Sequence, residues 1–285
     1  MKKRCVICLI ILLIVIGFLE SCGVGNSEER KTSGKETELQ VFVAASLSNV
    51  MTELTKVYQE AHPDVKVILN ADSSGKLLTQ IEEGYECDIF FSAAQKQMDQ
   101  LETDGLMIEG SRYDVVNNRL VVITRKNSGT KVTGLLNLKD ANSLALAEGS
   151  VPAGRYTRQA LVSLGILKET EDASKFTTRE VSEALGGLEV SEQGNVSKVL
   201  IAVIEGSCEV GTIYYSDTYG YEEQIDIIEQ VDYDLTGDII YPICIVKNPE
   251  ATDEKEKETE KFYQYILSEE AKLVFEQYYF DRLIE

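Results

Sequence analysis

Apolar and polar residues are spaced along the chain in a way that predicts buried strands followed by amphipathic helices. The stretch Leu39–Leu54 begins with a strand over Leu39–Ala45, turns at Ser46 and continues as a helix over Ser48–Ala61, whose apolar residues recur at helical spacing. A second strand, Val65–Ala71, leads into another helix in the same manner. This repeated order favours an α/β fold.

The predicted alternation of strands and helices continues to the end of the chain. The other predicted strands are Cys87–Ser92, Asn118–Thr124, Leu144–Ala147, Gly211–Tyr215 and Ile239–Val246, and the other predicted helices are Gly75–Glu83, Gln95–Thr103, Ala153–Leu164, Val196–Glu205, Thr252–Ile266 and Glu269–Tyr278. Pro242 predicts an edge position for the last strand. Alternating strands and helices predict parallel sheets covered on both faces, and such sheets bind ligands where strands end and helices begin.

The first residues differ in character from the rest. Three basic residues precede the uncharged run Cys5–Leu19, which is shorter than the ~20 residues of a membrane-spanning helix, so residues 1–21 are predicted to be a signal peptide. The run ends at Ser21-Cys22 in a pattern similar to a bacterial lipoprotein processing box; an uncleaved membrane anchor is the alternative. We expect residues 22–38 to be a lipidated Cys22 and a polar flexible linker, and the body to lie outside the cytoplasm, anchored to the membrane by lipid.

Composition narrows the choice of partners. The net charge of −20 argues against nucleic acid and against an anionic membrane surface. It is compatible with a small anion held locally by neutral donors. Beyond the N-terminal segment the cysteines Cys87, Cys208 and Cys244 lack the spacing of a metal site. They are expected to be buried apolar residues, with one disulfide left open.

Serines occupy two of the strand-to-helix turns. Ser46 follows the first strand, and Ser73 and Ser74 follow the second. A helix N-terminus has four unpaired N–H groups and a partial positive charge, so an oxyanion there accepts hydrogen bonds without a Lys or Arg partner. The alternative is that these serines only cap their helices.

Three further positions are candidates for the same chemistry. Pro152-Ala153-Gly154 begins a helix with little side chain in the way of a ligand, and Asn195-Val196 combines a capping residue with a first helical N–H. Tyr214 lies at the carboxyl end of the predicted strand Gly211–Tyr215 and can donate its hydroxyl. The alternatives are ordinary helix starts and a tyrosine that belongs to the core.

Hydrolase chemistry has little support. The sole histidine, His62, lies at a helix end before Pro63, so a Ser–His–Asp arrangement lacks its general base. The sequence contains no GxSxG, P-loop or HExxH motif. The carboxylates cluster in surface runs such as Glu250–Glu260.

Six segments of the chain are distinctive when taken together: VFVAASLSNVMTEL, ADSSGKLLTQIEEG, CDIFFSAAQKQMDQL, VPAGRYTRQAL, GTIYYSD and FYQYILSEEAKLVFEQYYF. In their sequence and their order they resemble the molybdate-binding proteins of bacterial ABC uptake transporters. The resemblance implies a two-lobed type II periplasmic-binding-protein fold. Each lobe would be a mixed, mostly parallel sheet flanked by helices, with the ligand in the cleft between lobes. Lobe 1 would comprise residues 39–117 and 218–285, and lobe 2 residues 118–217.

The resemblance also implies how the ligand is held. A tetrahedral oxyanion would be bound through hydroxyl and backbone N–H donors alone, without direct metal-ion ligands and without a cofactor. The implied contacts are Ser46, Ser74, Ala153, Val196 and Tyr214. Ser73 is an alternative to Ser74. The sequence departs from the family pattern at Gly194-Asn195, before Val196, and at Ala94.

We therefore expect a solute-binding lipoprotein, not an enzyme. It would capture molybdate, and also tungstate, as a monomer and deliver it to a membrane permease of an ABC transporter. Alternatives are a binding protein for sulfate or another tetrahedral oxyanion, a secreted serine hydrolase using Ser46 or Ser74, and a purely structural surface lipoprotein.

Overall fold

Two β-sheets flanked by helices form the part of the chain that the structure describes. The computed structural model describes residues 36–283. These residues belong to one compact unit, Lys35–Glu285. The predicted signal peptide, Cys22 and nearly all of the linker lie outside the described residues.

The described elements alternate along the chain much as predicted. The strands are β1 (Thr37–Ala44), β2 (Val65–Asp72), β3 (Ile89–Phe91), β4 (Tyr113–Asn117), β5 (Leu120–Arg125), β6 (Ser143–Ala147), β7 (Glu189–Gln193), β8 (Val210–Tyr214), β9 (Ile225–Gln230), β10 (Tyr241–Ile245) and β11 (Asp281–Arg282). The helices are α1 (Ser48–Ala61), α2 (Ser74–Glu82), α3 (Gln95–Thr103), α4 (Pro152–Ser163), α5 (Thr178–Ala184), α6 (Val196–Ile204), α7 (Tyr233–Thr236), α8 (Asp253–Ile266) and α9 (Glu269–Gln277). Among residues 36–283, none of the helices has the length and apolar character needed to cross a membrane.

The first sheet has the strand order β11-β4-β10-β3-β1-β2. The strand β1 runs parallel to β2 and β3, and β10 runs antiparallel to β3 and β4. Alternate residues of β1 are buried on opposite faces: Val41 and Val43 in the main core, Phe42 with Leu77 of α2 and Met98 of α3. Burial on both faces is why this strand reads as a continuous apolar run.

The second sheet has the strand order β7-β6-β8-β5-β9. The strand β6 is parallel to β7 and β8, whereas β5 is antiparallel to β8 and β9. The chain passes from the first sheet to the second between β4 and β5, at Asn118 and Arg119. The sheets are thus the centres of two lobes, with fewer parallel pairs than the sequence predicted.

The lobe boundary drawn at residue 217 disagrees with the strand pairing. Ile225–Gln230 pairs with β5, so it belongs to the second sheet, and the chain returns to the first lobe only in residues 231–240. The sequence IDIIEQ concealed this strand because charged residues interrupt it and it is only partly buried.

The predicted edge position of the strand containing Pro242 is wrong. The strand β10 lies between β3 and β4, inside the first sheet. Its register shifts between Tyr241 and Pro242, an irregularity that accommodates a residue without an N–H donor.

The amphipathic helices agree closely with prediction. The bounds of α1 and α3 are those predicted, and Val199, Leu200 and Val203 of α6 are buried as expected. In α1 the apolar face is completed by Tyr58, while Val57 is only partly buried. The spacing of apolar residues therefore fixes these helices well.

Candidate anion-binding site

Two serines occupy the start of α2, and the structure gives them different roles. Ser73 is the N-cap, and its Oγ accepts a hydrogen bond from the Lys76 N–H at 3.4 Å. Ser74 is the first helical residue, and its buried Oγ accepts from the Ala93 N–H at 2.9 Å. Because the oxygen of Ser74 already accepts, its hydroxyl hydrogen can be donated to another group.

Ser46 lies in the 3₁₀ turn Ala45–Leu47 between β1 and α1 and is buried. Its Oγ is 2.8 Å from the Oη of Tyr241 on β10. The helix α1 begins at Ser48, with Leu47 as its N-cap and no side-chain cap. Ser46 therefore does not cap α1, and its hydroxyl is available for another role.

The start of α4 presents backbone N–H groups with no side chain over them. Its N-cap, Val151, makes no capping hydrogen bond through its side chain, and Ala153 is 1% exposed. The Arg155 N–H bonds to the Val151 carbonyl at 2.9 Å, so the N–H groups of Ala153 and Gly154 precede the first helical hydrogen bond. A Cβ on Gly154 would lie 2.2 Å from the Glu148 carbonyl oxygen, so glycine is needed here.

A buried arginine holds this turn in place. The guanidinium of Arg158 donates to the carbonyls of Ala147 at 2.8 Å, Gly154 at 3.0 Å and Phe176 at 2.8 Å. Its side chain is fully buried. These bonds fix the backbone between β6 and α4, and with it the direction of the N–H groups at the helix start.

The start of α6 joins the two lobes. The Oδ1 of Asn195 accepts from the Lys198 N–H at 3.0 Å, which caps the helix, and its Nδ2 donates to the Asp72 carboxylate at 3.0 Å. Asp72 ends β2 in the first lobe, immediately before Ser73. Val196, the first residue of α6, is thereby held beside the turn that carries Ser74.

Tyr214 is the last residue of β8 and is 1% exposed. Among residues 36–283 its hydroxyl has no hydrogen-bond partner. Its ring packs edge-on against Tyr241, with centroids 5.8 Å apart. Burial and the nearby Tyr241 hydroxyl hold the pKa of Tyr214 well above its usual range, so the hydroxyl stays protonated. An unpaired buried donor costs about 1–3 kcal/mol, which makes it a ready partner for an acceptor.

A buried carboxyl group lies directly behind Tyr214. Asp217 accepts the Tyr214 N–H at 3.0 Å. Burial raises the pKa of Asp217 to about 7. At neutral pH this group is therefore partly protonated, which reduces the negative charge near the Tyr214 hydroxyl.

Contacts between the lobes bring the segments that carry the five predicted residues to one interface. Ser46 reaches Tyr214 through the shared neighbour Tyr241, and Asn195 links the start of α6 to the end of β2. A Cβ added to Gly75 of α2 would lie 2.9 Å from the Ser150 carbonyl oxygen, just before α4. Hydroxyl groups and helix starts from both lobes thus surround the same interface.

An ion pair joins the lobes beside this site. Lys96 of α3 donates to Asp172 at 3.0 Å and to the Ser174 hydroxyl at 3.2 Å. The hydrogen bonds from Ser174 and Lys96 lower the pKa of Asp172 to about 2. A cavity of about 280 Å³ lies next to this pair, with Gly75 and Arg155 in its walls.

Sequence reasoning missed a cation in this region. Arg155 lies in the first turn of α4, with its Cζ 4.2 Å from the ring centroid of Tyr156, and its Nε is buried without a partner among the described residues. Its charge opposes the rise in the pKa of Tyr214 that burial causes. A cation thus lies near Tyr214, one of the residues predicted to contact the ligand. The signal was present in VPAGRY, where an arginine occupies a helix start that disfavours cations.

Other predictions concern catalysis and cysteines. His62 follows the last residue of α1, and its ring stacks on that of Tyr58 with the centroids 4.0 Å apart. Ser46 precedes the same helix, whose 14 residues span ~21 Å. The histidine and this serine therefore lie at opposite ends of α1. Cys87, Cys208 and Cys244 are free and buried, as expected. Within residues 36–283 no group of His, Cys, Asp and Glu side chains is arranged to hold a metal ion.

Comparison with known proteins finds relatives that are described as solute-binding proteins. Residues 39–281 match the family model described as bacterial extracellular solute-binding protein. The Bacillus subtilis protein YvgL, which carries the name of an ABC transporter substrate-binding lipoprotein, is 29% identical over 95% of this chain and 96% of its own length. The molybdate-binding protein ModA of Haemophilus influenzae is 26% identical over 85% of this chain and 89% of its own length.

A solved structure supports the two-lobed fold. The periplasmic molybdate-binding protein of Azotobacter vinelandii superposes with a TM-score of 0.71, covering 87% of this chain and all of the other at 18% identity. The predicted fold class and the predicted resemblance are confirmed by these matches. Since the family model spans nearly the whole described region, this chain belongs to the bacterial extracellular solute-binding protein family.

Proposed function

We propose that this protein captures molybdate, and also tungstate, and delivers it to the permease of an ABC transporter. Membership of the solute-binding family and similarity to molybdate-binding relatives support this assignment. The observation that carries it is the buried hydroxyl of Tyr214, which has no hydrogen-bond partner among the described residues and lies at the interface where helix starts from both lobes meet.

The proposed ligand contacts are all donors. Ser46, Ser74 and Tyr214 would donate hydroxyl hydrogens, and Ala153 and Val196 would donate backbone N–H groups. A fully ionised tetrahedral dianion accepts from every such donor. A protonated oxyanion brings a hydrogen for which such a site offers no acceptor, and its binding is penalised accordingly.

Arg155 would add a positive charge beside these donors. Its Nε, which has no hydrogen-bond partner among the described residues, and its influence on Tyr214 support a role in attracting the anion into an otherwise acidic protein.

The remaining parts of the proposal concern the cell. Residues 1–21 would be removed as a signal peptide, Cys22 would carry lipid, and the binding lobes would act as a monomer at the outer face of the membrane. The similarity to YvgL supports the anchor. The Cys22→Ser variant should be released from the membrane fraction. Retention of this variant in the membrane fraction would contradict lipidation.

Isothermal titration calorimetry on the purified protein tests the ligand. Molybdate and tungstate should bind with one site per chain, and sulfate and phosphate should bind far more weakly. Equal binding of sulfate would favour the broader oxyanion alternative. No heat with any of the four would contradict the proposed function.

A further inference from the structure

The Ser46 hydroxyl belongs to a buried series of hydrogen bonds in which each donor and acceptor is determined. The series begins at Asn118, where the polypeptide crosses between the lobes. Its Oδ1 accepts from the backbone N–H groups of Arg119 at 2.9 Å and Ser216 at 3.4 Å. Backbone N–H groups only donate, so these two bonds fix which side of the amide is oxygen.

The other end of the amide must therefore donate. The Nδ2 of Asn118 lies 2.8 Å from the Ser216 Oγ and 3.1 Å from the Tyr241 Oη. Both oxygens accept from it. Asn118 and Tyr241 are fully buried, so water does not compete for these bonds.

The direction then passes from Tyr241 to Ser46. The Tyr241 oxygen accepts from Asn118, and its one hydrogen has the Ser46 Oγ as its neighbour at 2.8 Å. The phenol keeps its hydrogen, because burial and the nearby Asp217 hold the pKa of Tyr241 well above its usual range. Ser46 thus accepts from Tyr241, and its own hydrogen points to a different partner.

We propose that Tyr241 and Asn118 are positioning residues that fix the Ser46 hydroxyl as a donor to the bound oxyanion. This inference rests on the proposed function. A free serine hydroxyl can either donate or accept, whereas Ser46 is held in the donating orientation. This series of hydrogen bonds therefore makes Ser46 selective. Its hydroxyl donates to a fully ionised anion and offers no good acceptor to a protonated one.

The first test is Tyr241→Phe, measured by titration calorimetry with molybdate and with hydrogen phosphate, which carries a proton at pH 7. Molybdate affinity should fall roughly tenfold, the usual effect of one buried hydrogen bond. Phosphate affinity should fall less, so the molybdate-to-phosphate ratio should shrink. In a Ser46→Ala background the same change should have little further effect.

A matched control separates positioning from general damage to the core. Tyr263 is also buried, and its hydroxyl donates to the Ser111 carbonyl at 2.6 Å within the first lobe. Tyr263→Phe should lower thermal stability as Tyr241→Phe does, with molybdate affinity and the ratio unchanged.

A second variant guards against failure of Tyr241→Phe to fold. Asn118→Asp, titrated beside the wild type at about pH 9 so that the buried carboxyl group is ionised, keeps an acceptor for the two backbone N–H groups but removes the donor, so Tyr241 would donate to the carboxylate and accept from Ser46. The added charge weakens both dianions alike, whereas the reversed hydroxyl lowers the molybdate-to-phosphate ratio.

The outcomes distinguish the two proposals. If the wild-type protein binds none of the oxyanions, the proposed function fails and this inference fails with it. If the wild-type protein binds molybdate and the ratio stays unchanged in both Tyr241→Phe and Asn118→Asp, the positioning role alone is overturned. Additive effects of Tyr241→Phe and Ser46→Ala would also overturn it.

Discussion

Individual hydroxyl groups would determine what the proposed site can bind. Ser74 accepts from a backbone N–H and Ser46 lies against Tyr241, so each oxygen is engaged and each hydrogen can be donated. Tyr214 is buried with an unpaired hydroxyl among the described residues. Donors held in this way are pre-organised for an anion and lose little entropy on binding.

Tyr214→Phe should have opposite effects on binding and on stability. Molybdate affinity should fall about tenfold because one hydrogen bond to the anion is lost. Without ligand, the variant should be as stable as the wild type or more so, because the hydroxyl that is removed is a buried donor with no partner within residues 36–283. Calorimetry and thermal unfolding measure the two quantities. A large loss of stability without ligand would show that the hydroxyl has a structural partner.

Asp217 should make stability depend on pH. Its pKa is raised to about 7 from an unfolded value near 3.8, so the folded state favours the protonated form. The contribution is fully present below about pH 4 and is lost as pH rises to 7, with an upper limit of roughly 4 kcal/mol. Asp217→Asn keeps an acceptor for the Tyr214 N–H and should remove this component. Unfolding of both proteins between pH 4 and pH 8 tests it, and parallel curves would contradict the assignment.

Helix starts are the elements that would build the proposed site, and they are also what the sequence predicts best. The starts of α2, α4 and α6 combine apolar spacing with a cap or a proline, signals that act within a few residues. The strands β7 and β9 were missed because charged residues interrupt them and most of their residues are only partly buried. Tyr241 was missed as a site residue because its contact with Ser46 spans 195 positions, which local patterns do not record.

Gly154→Ala should disturb the start of α4. The new Cβ would meet the carbonyl oxygens of Glu148 at 2.2 Å and Ala147 at 2.3 Å, so the backbone must shift. We expect a loss of roughly 1–3 kcal/mol in unfolding free energy and weaker molybdate binding, because the Ala153 N–H moves with the turn. Ser163→Ala, at the other end of the same helix and exposed, is the control. Unchanged affinity in Gly154→Ala would place Ala153 outside the site.

At the scale of the whole molecule, two polar contacts join the lobes beside the proposed site. Asn195 bonds to Asp72 across the interface, and Lys96 pairs with Asp172. A ligand held by both lobes gains affinity when such contacts favour the closed arrangement. The two lobe sheets were predictable from the strand-to-helix order, but the contacts between them were not.

Lys96→Met should weaken molybdate binding although Lys96 is not one of the proposed ligand contacts. The pair with Asp172 is partly exposed, so its effect should be small, about two- to fivefold at low salt, and should shrink as salt is added. Lys66→Met, which breaks the exposed pair with Glu38 inside the first lobe, is the matched control and should leave affinity unchanged. Equal effects of the two variants would argue against a role for the pair between the lobes.

The central claim is that one oxyanion is bound where the two lobes meet. A crystal structure of the protein grown with tungstate, with anomalous scattering used to locate tungsten, tests it most directly. We predict one strong peak, with its oxygens within hydrogen-bonding distance of the hydroxyls of Ser46, Ser74 and Tyr214 and of the N–H groups of Ala153 and Val196. A peak outside this interface, or oxygens that do not contact Tyr214, would contradict the account.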